Sequence, residues 1–115
     1  MPKYKVNQDA VKQAKKLIDD GAFDDTTEWS DAAPSADDAN QVIDKEGFDA
    51  FARWHLAVNA DASEGTKGEY AFPYGDFKKV NRAALIHAKQ RAAQNDHTAI
   101  EKAADEVLGY LDQKR

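Results

Sequence analysis

The sequence predicts an α+β fold, in which about four helices pack around one small antiparallel β-hairpin. Three observations lead to this prediction. Apolar residues recur at helical spacing in several long segments, and they alternate with other residues in two short segments on either side of a turn-rich stretch. A length of 115 residues gives room for one domain with its own core. We therefore treat residues 1–115 as a single domain.

The first two helices are predicted over residues 8–20 and 36–45. Asn7 is a residue type that favours the N-cap of the first helix. Ser35 precedes the second helix, and Asp38 three residues later completes an approximate capping box. Glycine, which favours helix C-termini, follows the two helices at positions 21 and 47. The predicted inward faces are Val11, Ala14, Leu17 and Ile18 in the first helix, and Ala36, Ala39, Val42 and Ile43 in the second.

The hairpin is predicted to pair strands over residues 54–58 and 69–73. The first segment reads WHLAV, and the stretch between the two strands, NADASEGTKG, has the composition of a turn. Pro73 has no backbone N–H, so it marks the end or the edge of the second strand. We expect His55 to be exposed or hydrogen-bonded.

The last two helices are predicted over residues 77–93 and 99–112. Asp76 is the expected N-cap of the third helix. Thr98 and Glu101 form a T-x-x-E capping box at the start of the fourth. The buried positions are expected to be Phe77, Val80, Ala84 and Ala88 in the third helix, and Ile100, Ala103, Ala104, Val107, Leu108 and Leu111 in the fourth.

Charge is distributed unevenly along a chain whose net charge is −5. Residues 17–52 contain eleven acidic residues and Lys45 as the single cation, whereas residues 77–91 contain five cations and no acid. A net negative charge argues against nonspecific binding to nucleic acid, because that binding depends on neutralising phosphates. The asymmetry leaves two interpretations open: two solvated or mutually attracting faces, or a polarised surface with a partner at one pole.

The residues that usually carry chemistry form no recognisable motif. The absence of cysteine excludes disulfides and thiolate zinc sites. The three histidines form no H-x-x-x-H pair, and the segment NADASEGTKGE fails the spacing of a calcium loop. We therefore predict no catalytic residue, no metal and no cofactor. The N-terminus has no apolar signal segment, and no run is long enough to span a membrane, so we expect a cytoplasmic protein.

The densest stretch of the chain is GEYAFPYGDFKKVNRAALIHAKQR, over residues 68–91. Its aromatic residues, together with Trp54, suit either a packed core or a platform for stacking nucleic-acid bases, and the core interpretation is favoured because a small domain needs large residues inside. Its cations Lys78, Arg82 and Lys89 are expected on one face of the third helix. Trp29 lies in an acidic loop and is either a plug of the core or an exposed anchor. The predicted partner-binding residues are Lys78, Lys79, Arg82, Lys89, Arg91 and Trp29.

Three stretches carry a resemblance to known proteins: TTEWSDAAPSADD, RWHLAV and YAFPYGDFKKVNRAALIHA. Together they resemble a family of small uncharacterised bacterial proteins over nearly the whole chain. The second half, from Tyr70 to about Leu111, is also similar to a segment of tailed-phage and prophage proteins that accompanies capsid-maturation proteases. This chain has Phe72 where leucine is usual in that segment, and we expect no protease domain within residues 1–115. The resemblance implies that YAFPYGDF is a portable structural module, and it supplies no catalytic residues.

Three functions fit these observations. The first is a non-enzymatic interaction or accessory domain that binds a protein partner through the basic helix face, with self-association of the two charged poles as one form. The second is binding of nucleic acid or nucleoprotein through the same helix, in a phage-related or stress setting. The third is a small metal-dependent enzyme that uses the acidic loops with His55. The sequence favours the first.

Overall fold

The computed structural model describes residues 3–115, which form the predicted α+β fold. This part of the chain has six α-helices, of which four are longer than ten residues and correspond to the four predicted, and five short strands. The helices are α1 Gln8–Asp19, α2 Trp29–Ala32, α3 Ala36–Glu46, α4 Phe48–Ala52, α5 Arg82–Gln94 and α6 Thr98–Lys114. The strands are β1 Tyr4–Val6, β2 Phe23–Asp24, β3 His55–Asn59, β4 Tyr70–Pro73 and β5 Val80–Asn81. Within residues 3–115, no helix combines the length and the apolar character needed to cross a bilayer.

The main sheet contains the predicted hairpin and one strand more. Strands β3 and β4 pair antiparallel with His55 opposite Pro73, so the hairpin is confirmed, and Pro73 ends an edge strand. Strand β1 pairs antiparallel with β3 on its other side, which gives the order β1-β3-β4. Strand β1 was not predicted from the sequence, because three residues are too few to show a period.

The core lies where α6 packs against both α1 and α5, and where these three helices meet the sheet. Helix α6 supplies the cleanest inward stripe, as predicted, since five of its six expected positions are buried and Leu108 is half-buried. The largest fully buried side chains are those of Tyr74, Ile18, Leu56, Leu85, Ile100, Leu111, Val80, Val107 and Asn81. Helix α3 stands outside this core, with Ala39 as its buried residue among those described, and packs on α4.

The N-terminal ends of α1 and α3 use their capping residues differently. At α3 the predicted capping box is confirmed: Ser35 Oγ accepts from the Asp38 backbone N–H at 3.1 Å, and Asp38 Oδ2 accepts from the Ser35 N–H at 3.0 Å. Asn7 occupies the predicted N-cap position of α1, yet its side-chain amide donates to the carbonyls of Ala52 and His55. Asn7 therefore fastens α1 to the segment that enters β3.

The predicted start of the third helix at residue 77 is wrong by five residues, because α5 begins at Arg82. Asp76 Oδ1 does accept from the backbone N–H groups of Lys78 and Lys79, at 3.0 and 2.8 Å. However, Phe77 has φ of 68°, in the left-handed region, so these bonds close a turn that does not continue as a helix. The actual N-cap is Asn81, whose Oδ1 accepts from the Ala84 N–H at 2.9 Å.

The predicted capping box of the fourth helix is also wrong. Thr98 lies inside α6 as its first residue, and the N-cap position belongs to His97. The preceding Asp96 has φ of 59°, which turns the chain sharply between α5 and α6. A T-x-x-E spacing therefore located the start of α6 to within one residue without forming the reciprocal hydrogen bonds.

Candidate protein-interaction surface

Trp29 is held against α5 by a two-stranded parallel pairing that the sequence did not reveal. Strand β2 pairs with β5, with Phe23 opposite Val80 and Asp24 opposite Asn81. Asn81 is 2% exposed, and its amide donates to the Thr27 carbonyl at 3.1 Å. The same residue that caps α5 thus fixes the loop that leads into α2, and α2 packs on α5.

A tight turn before α2 adds rigidity to this loop. Asp24 Oδ1 accepts from the backbone N–H groups of Thr26 and Thr27, each at 3.0 Å. Hydrogen bonds from the Thr27 hydroxyl, and from these two N–H groups, lower the pKa of Asp24 to about 2. The carboxylate therefore stays ionised and the turn stays closed throughout the neutral and mildly acidic range.

Three depressions lie side by side across α5. The first, of about 130 Å³, is lined by Trp29, Phe72, Pro73, His87, Ala88 and Arg91. The second, of about 390 Å³, shares Trp29 and His87 with the first. The third, of about 410 Å³, shares Ile86 and Gln90 with the second and reaches Leu108 on α6. We call this continuous region the α5 surface and define it by Trp29, Arg82, Ile86, His87, Lys89, Arg91 and Leu108.

Two of the cations on the α5 surface are already paired. Arg82 binds the Asp112 carboxylate through Nε at 2.8 Å and a second nitrogen at 3.2 Å, and Lys89 Nζ lies 2.8 Å from Asp105 Oδ1. The hydrogen bond with Asp112 raises the pKa of Arg82, and the one with Asp105 raises the pKa of Lys89. Because both pairs join α5 to α6, these two cations contribute to helix packing as well as to surface charge.

Arg91 differs from these two, since its guanidinium makes no ion pair within residues 3–115. It is exposed and lines the same depression as Trp29 and His87. Of the six predicted partner-binding residues, four therefore lie around α5: Trp29, Arg82, Lys89 and Arg91.

Lys78 and Lys79 lie apart from that surface. Both belong to the exposed turn that precedes β5, so the expectation that Lys78 shares a helix face with Arg82 and Lys89 is wrong. The error follows from the false helix start at residue 77. Lys78 lines a different and larger groove, of about 510 Å³, between α2, α3 and the turn that holds Asp76.

The aromatic residues of the hairpin region point mainly inward. Trp54 stacks on Tyr74 with a centroid distance of 5.2 Å, and the Tyr74 ring is fully buried. The Tyr74 hydroxyl donates to the Arg53 carbonyl at 2.8 Å and accepts from the Gln13 amide at 3.1 Å. Burial raises the pKa of Tyr74 far above its usual range. These contacts agree with the core interpretation and leave no open platform of stacked rings at Trp54 and Tyr74.

Phe72 breaks the strand alternation expected for the tyrosines and phenylalanines of β4. Its φ of 62° lies in the left-handed region, which is unusual for a bulky residue. The ring packs edge-on against Tyr4 at 5.3 Å and His97 at 6.1 Å, while Tyr70 contacts Phe48 at 5.7 Å. Phe72 also lines the first depression of the α5 surface.

Ile86 and His87 were not among the binding residues predicted from the sequence. They lie in the middle of the α5 surface because Ala84, Leu85, Ala88 and Ala92 take the inward positions of the helix. The available signal was Ile86, an apolar residue that lies outside the buried stripe of α5, and it could be recognised only with the correct helix start at Arg82.

His55 and the acidic loops do not assemble into a metal site among residues 3–115, where no group of three or more His, Asp or Glu side chains is placed to hold an ion. His55 is 7% exposed, and its Nδ1 lies 2.9 Å from the Phe51 carbonyl oxygen. Burial lowers the pKa of His55 to about 4, so the ring is neutral at pH 7.

Comparisons of the chain with protein-family models, with curated proteins and with solved structures give no match. The resemblance to small bacterial proteins and to a phage segment therefore stays a prediction.

Proposed function

We propose that this protein is a non-enzymatic interaction domain that binds an acidic protein segment, carrying a large apolar side chain, on the α5 surface. The observation that carries the proposal is the first depression, in which Trp29 and Arg91 line one cleft with His87 between α2 and α5. Tryptophan and arginine are the residues most enriched among the energetic centres of protein interfaces.

The apolar part of the surface supports a protein partner. Trp29, Ile86 and Leu108 are half-buried, and they lie in three adjoining depressions rather than singly. Charged side chains line the same depressions beside this apolar strip, and protein interfaces likewise combine an apolar centre with polar groups at the rim. A short segment with one or two large apolar residues would cover the strip and exclude water from it.

The charged part indicates the sign of the partner. Of the three cations on the α5 surface, Arg82 and Lys89 are already paired with Asp112 and Asp105, and Glu28 and Glu101 line the same depressions, so Arg91 is the cation on which the sign of the partner depends. Arg91 has no ionic partner among residues 3–115, so an incoming carboxylate would gain a bidentate contact without displacing one. The net charge of −5 makes a polyanion such as nucleic acid a less favourable partner than a short acidic segment.

Titration of the isotope-labelled protein with a synthetic peptide that alternates leucine and glutamate tests this proposal by NMR. We expect chemical shift changes at the Trp29 indole, Ile86, His87 and Arg91. We expect Trp29→Ala to weaken binding at least tenfold, the effect of losing about 1.4 kcal/mol at an interface anchor. The same peptide with lysine in place of glutamate is the control and should not bind.

Two results would contradict the proposal. Shift changes that avoid α5, or equal binding of the glutamate and lysine peptides, would remove the α5 surface from consideration. A single-stranded oligonucleotide that shifts the same residues more strongly than the acidic peptide, with an affinity that falls steeply with salt, would assign the surface to nucleic acid instead.

A further inference from the structure

The first depression of the α5 surface differs from the other two in its charge. Within residues 3–115, no acidic side chain lines it, whereas Glu28 lines the second depression and Glu101 lines the third. The cations of the third depression are already paired with carboxylates of α6, but Arg91, in the first, makes no ion pair in this part of the chain. A carboxylate brought by a ligand therefore finds a free cation beside Arg91 and an acid farther along α5.

The same depression has room for one large side chain. Its volume is about 130 Å³, and an apolar cavity of about 150 Å³ is enough to take up benzene. Its apolar walls come from three elements: Trp29 of α2, Phe72 and Pro73 of β4, and Ala88 of α5. The ligand therefore has to project a side chain of about the size of leucine or phenylalanine into this space.

Hydrogen-bond donors lie next to this apolar space. His87 and Arg91 are four residues apart on α5, so they share one face of the helix. Both are exposed, and both line the first depression. A guanidinium can donate two parallel N–H groups to a carboxylate, and an imidazole N–H can donate one more. The depression thus combines a pocket for one apolar group with donors for one carboxylate.

We propose that the ligand of the α5 surface is the C-terminus of a partner protein, whose last residue places a leucine or phenylalanine side chain in the first depression and its α-carboxylate on Arg91 and His87. This inference rests on the proposed function and specifies which carboxylate is bound. At a chain end, the side chain and the carboxylate share one Cα atom, so a single residue fills the pocket and reaches the donors. The residues before it then cover Ile86 and Leu108, the apolar continuation of the surface.

A chain end also suits the shape of the site. It projects from its own protein, so it can enter a depression that another concave or flat surface cannot fill. Capture of a terminal carboxylate is one of the recurring modes of peptide recognition. Only one free cation is needed for it, which is what the first depression supplies.

NMR titration with four N-acetylated pentapeptides of serine and leucine tests the inference. The first ends in leucine with a free α-carboxylate, and the second ends in leucine carboxamide. The third ends in alanine with a free carboxylate, and the fourth ends in leucine followed by glutamate carboxamide, so that its carboxylate is on a side chain. We expect the first peptide to bind at least tenfold more tightly than each of the others, with shift changes at the Trp29 indole, His87 and Arg91.

Substitution of Arg91 shows whether it binds the α-carboxylate. In Arg91→Gln, the free-acid and carboxamide leucine peptides should bind within about twofold of each other, because the group that distinguishes them is gone. Lys79→Gln is the matched control. It also removes an exposed cation that has no ion pair within residues 3–115, but in the turn away from α5, so it should keep the tenfold preference. Unchanged circular dichroism spectra will show that both variants are folded.

Three results would overturn the inference. The first is a carboxamide peptide that binds as tightly as the free acid, and the second is an Arg91→Gln variant that keeps the preference. The third is N-acetyl-leucine that binds as tightly as the first pentapeptide, which would assign the pocket to a small free carboxylic acid.

The proposed function can stand without this inference. If the free-acid and carboxamide leucine peptides bind alike, while the alternating leucine–glutamate peptide with a carboxamide end still shifts Trp29 and Arg91, the inference fails and the proposed function stands. If no peptide shifts these residues, both fail.

Discussion

The two tryptophans of this chain lie in opposite kinds of environment. Trp54 is 8% exposed, stacks on Tyr74 and lies beside Phe77 at 6.0 Å, so its position is fixed by close contacts. Trp29 is half-buried on a one-turn helix and lines two depressions that are open to solvent. Trp54 belongs to the junction between the hairpin and the helices, which we define by Trp54, Tyr74, Gly75 and Phe77 and whose close contacts determine the fold. Trp29 belongs to the α5 surface, whose residues are available to a partner.

The stretch over residues 68–91 contributes to both regions. Its aromatic half forms the junction, because Tyr74 packs under Trp54 and the turn at Gly75 brings β5 back beside β2. Its helical half supplies the α5 surface, from Arg82 to Arg91. The N-terminal part of this segment therefore connects the hairpin to the helices, and its C-terminal part exposes charged side chains to solvent.

The largest effect on stability is expected at Gly75. A Cβ atom at this position would collide with the Lys79 carbonyl oxygen and would lie 2.6 Å from the Trp54 ring. Both neighbours are held in place, so Gly75→Ala should cost about 3 kcal/mol or more of the free energy of unfolding. Urea denaturation measures the change.

Gly109 is the matched control for this prediction. It lies in the interior of α6 and is exposed, and within the described part of the chain no atom other than its near neighbours lies within 4 Å of an added Cβ. Gly109→Ala should therefore stabilise the protein by about 0.5–1 kcal/mol, because alanine is the better helix former. Equal losses for the two variants would contradict the packing described for the junction.

The free energy of unfolding should also depend on pH through His55, by an amount similar to the loss expected for Gly75→Ala. Its pKa falls from 6.5 in the unfolded chain to about 4 in the folded protein, because burial disfavours the charged ring. The unfolded state therefore binds the proton first as pH falls. The stabilising contribution is complete above about pH 6.5 and is lost as pH falls to about 4, a decrease of about 3 kcal/mol in the free energy of unfolding.

Urea denaturation between pH 7 and 4 tests this, with His55→Asn as the variant, since the asparagine amide can donate to the Phe51 carbonyl as Nδ1–H does. The variant should be less stable at pH 7, because it loses the ring packed 4.5 Å from Phe51, and its stability should fall less steeply with acid. His87→Asn, on the exposed side of α5, should keep the wild-type dependence. Identical slopes for all three proteins would contradict the burial of His55.

The sequence predicted those elements whose signals are repeated along the chain. Helix α6 has a long stripe of buried positions, and α3 has a complete capping box. Both helices were therefore placed to within two residues of their actual ends. The hairpin was found because two alternating segments flank a turn-rich loop. In each case several residues indicated the same structure.

The errors occurred where one residue type serves two local structures. An aspartate that accepts the next N–H groups can begin a helix or close a turn, and Asp76 does the latter because Phe77 takes a left-handed conformation. That mistake placed Lys78 on a helix face it does not occupy. Strands β2 and β5 are far apart in the chain, and each is only two residues long. No local sequence pattern therefore indicates their parallel pairing.

The most direct test of the central claim compares the affinity of two charge-reversal variants for the glutamate–leucine peptide by isothermal titration calorimetry. Arg91→Glu and Lys79→Glu change an exposed cation that has no ion pair within residues 3–115, but only Arg91 lies on the α5 surface. We predict that Arg91→Glu weakens binding at least tenfold, whereas Lys79→Glu changes it less than about twofold. Equal losses for the two variants would mean that net charge attracts the peptide, and would contradict a specific site between Trp29 and α5.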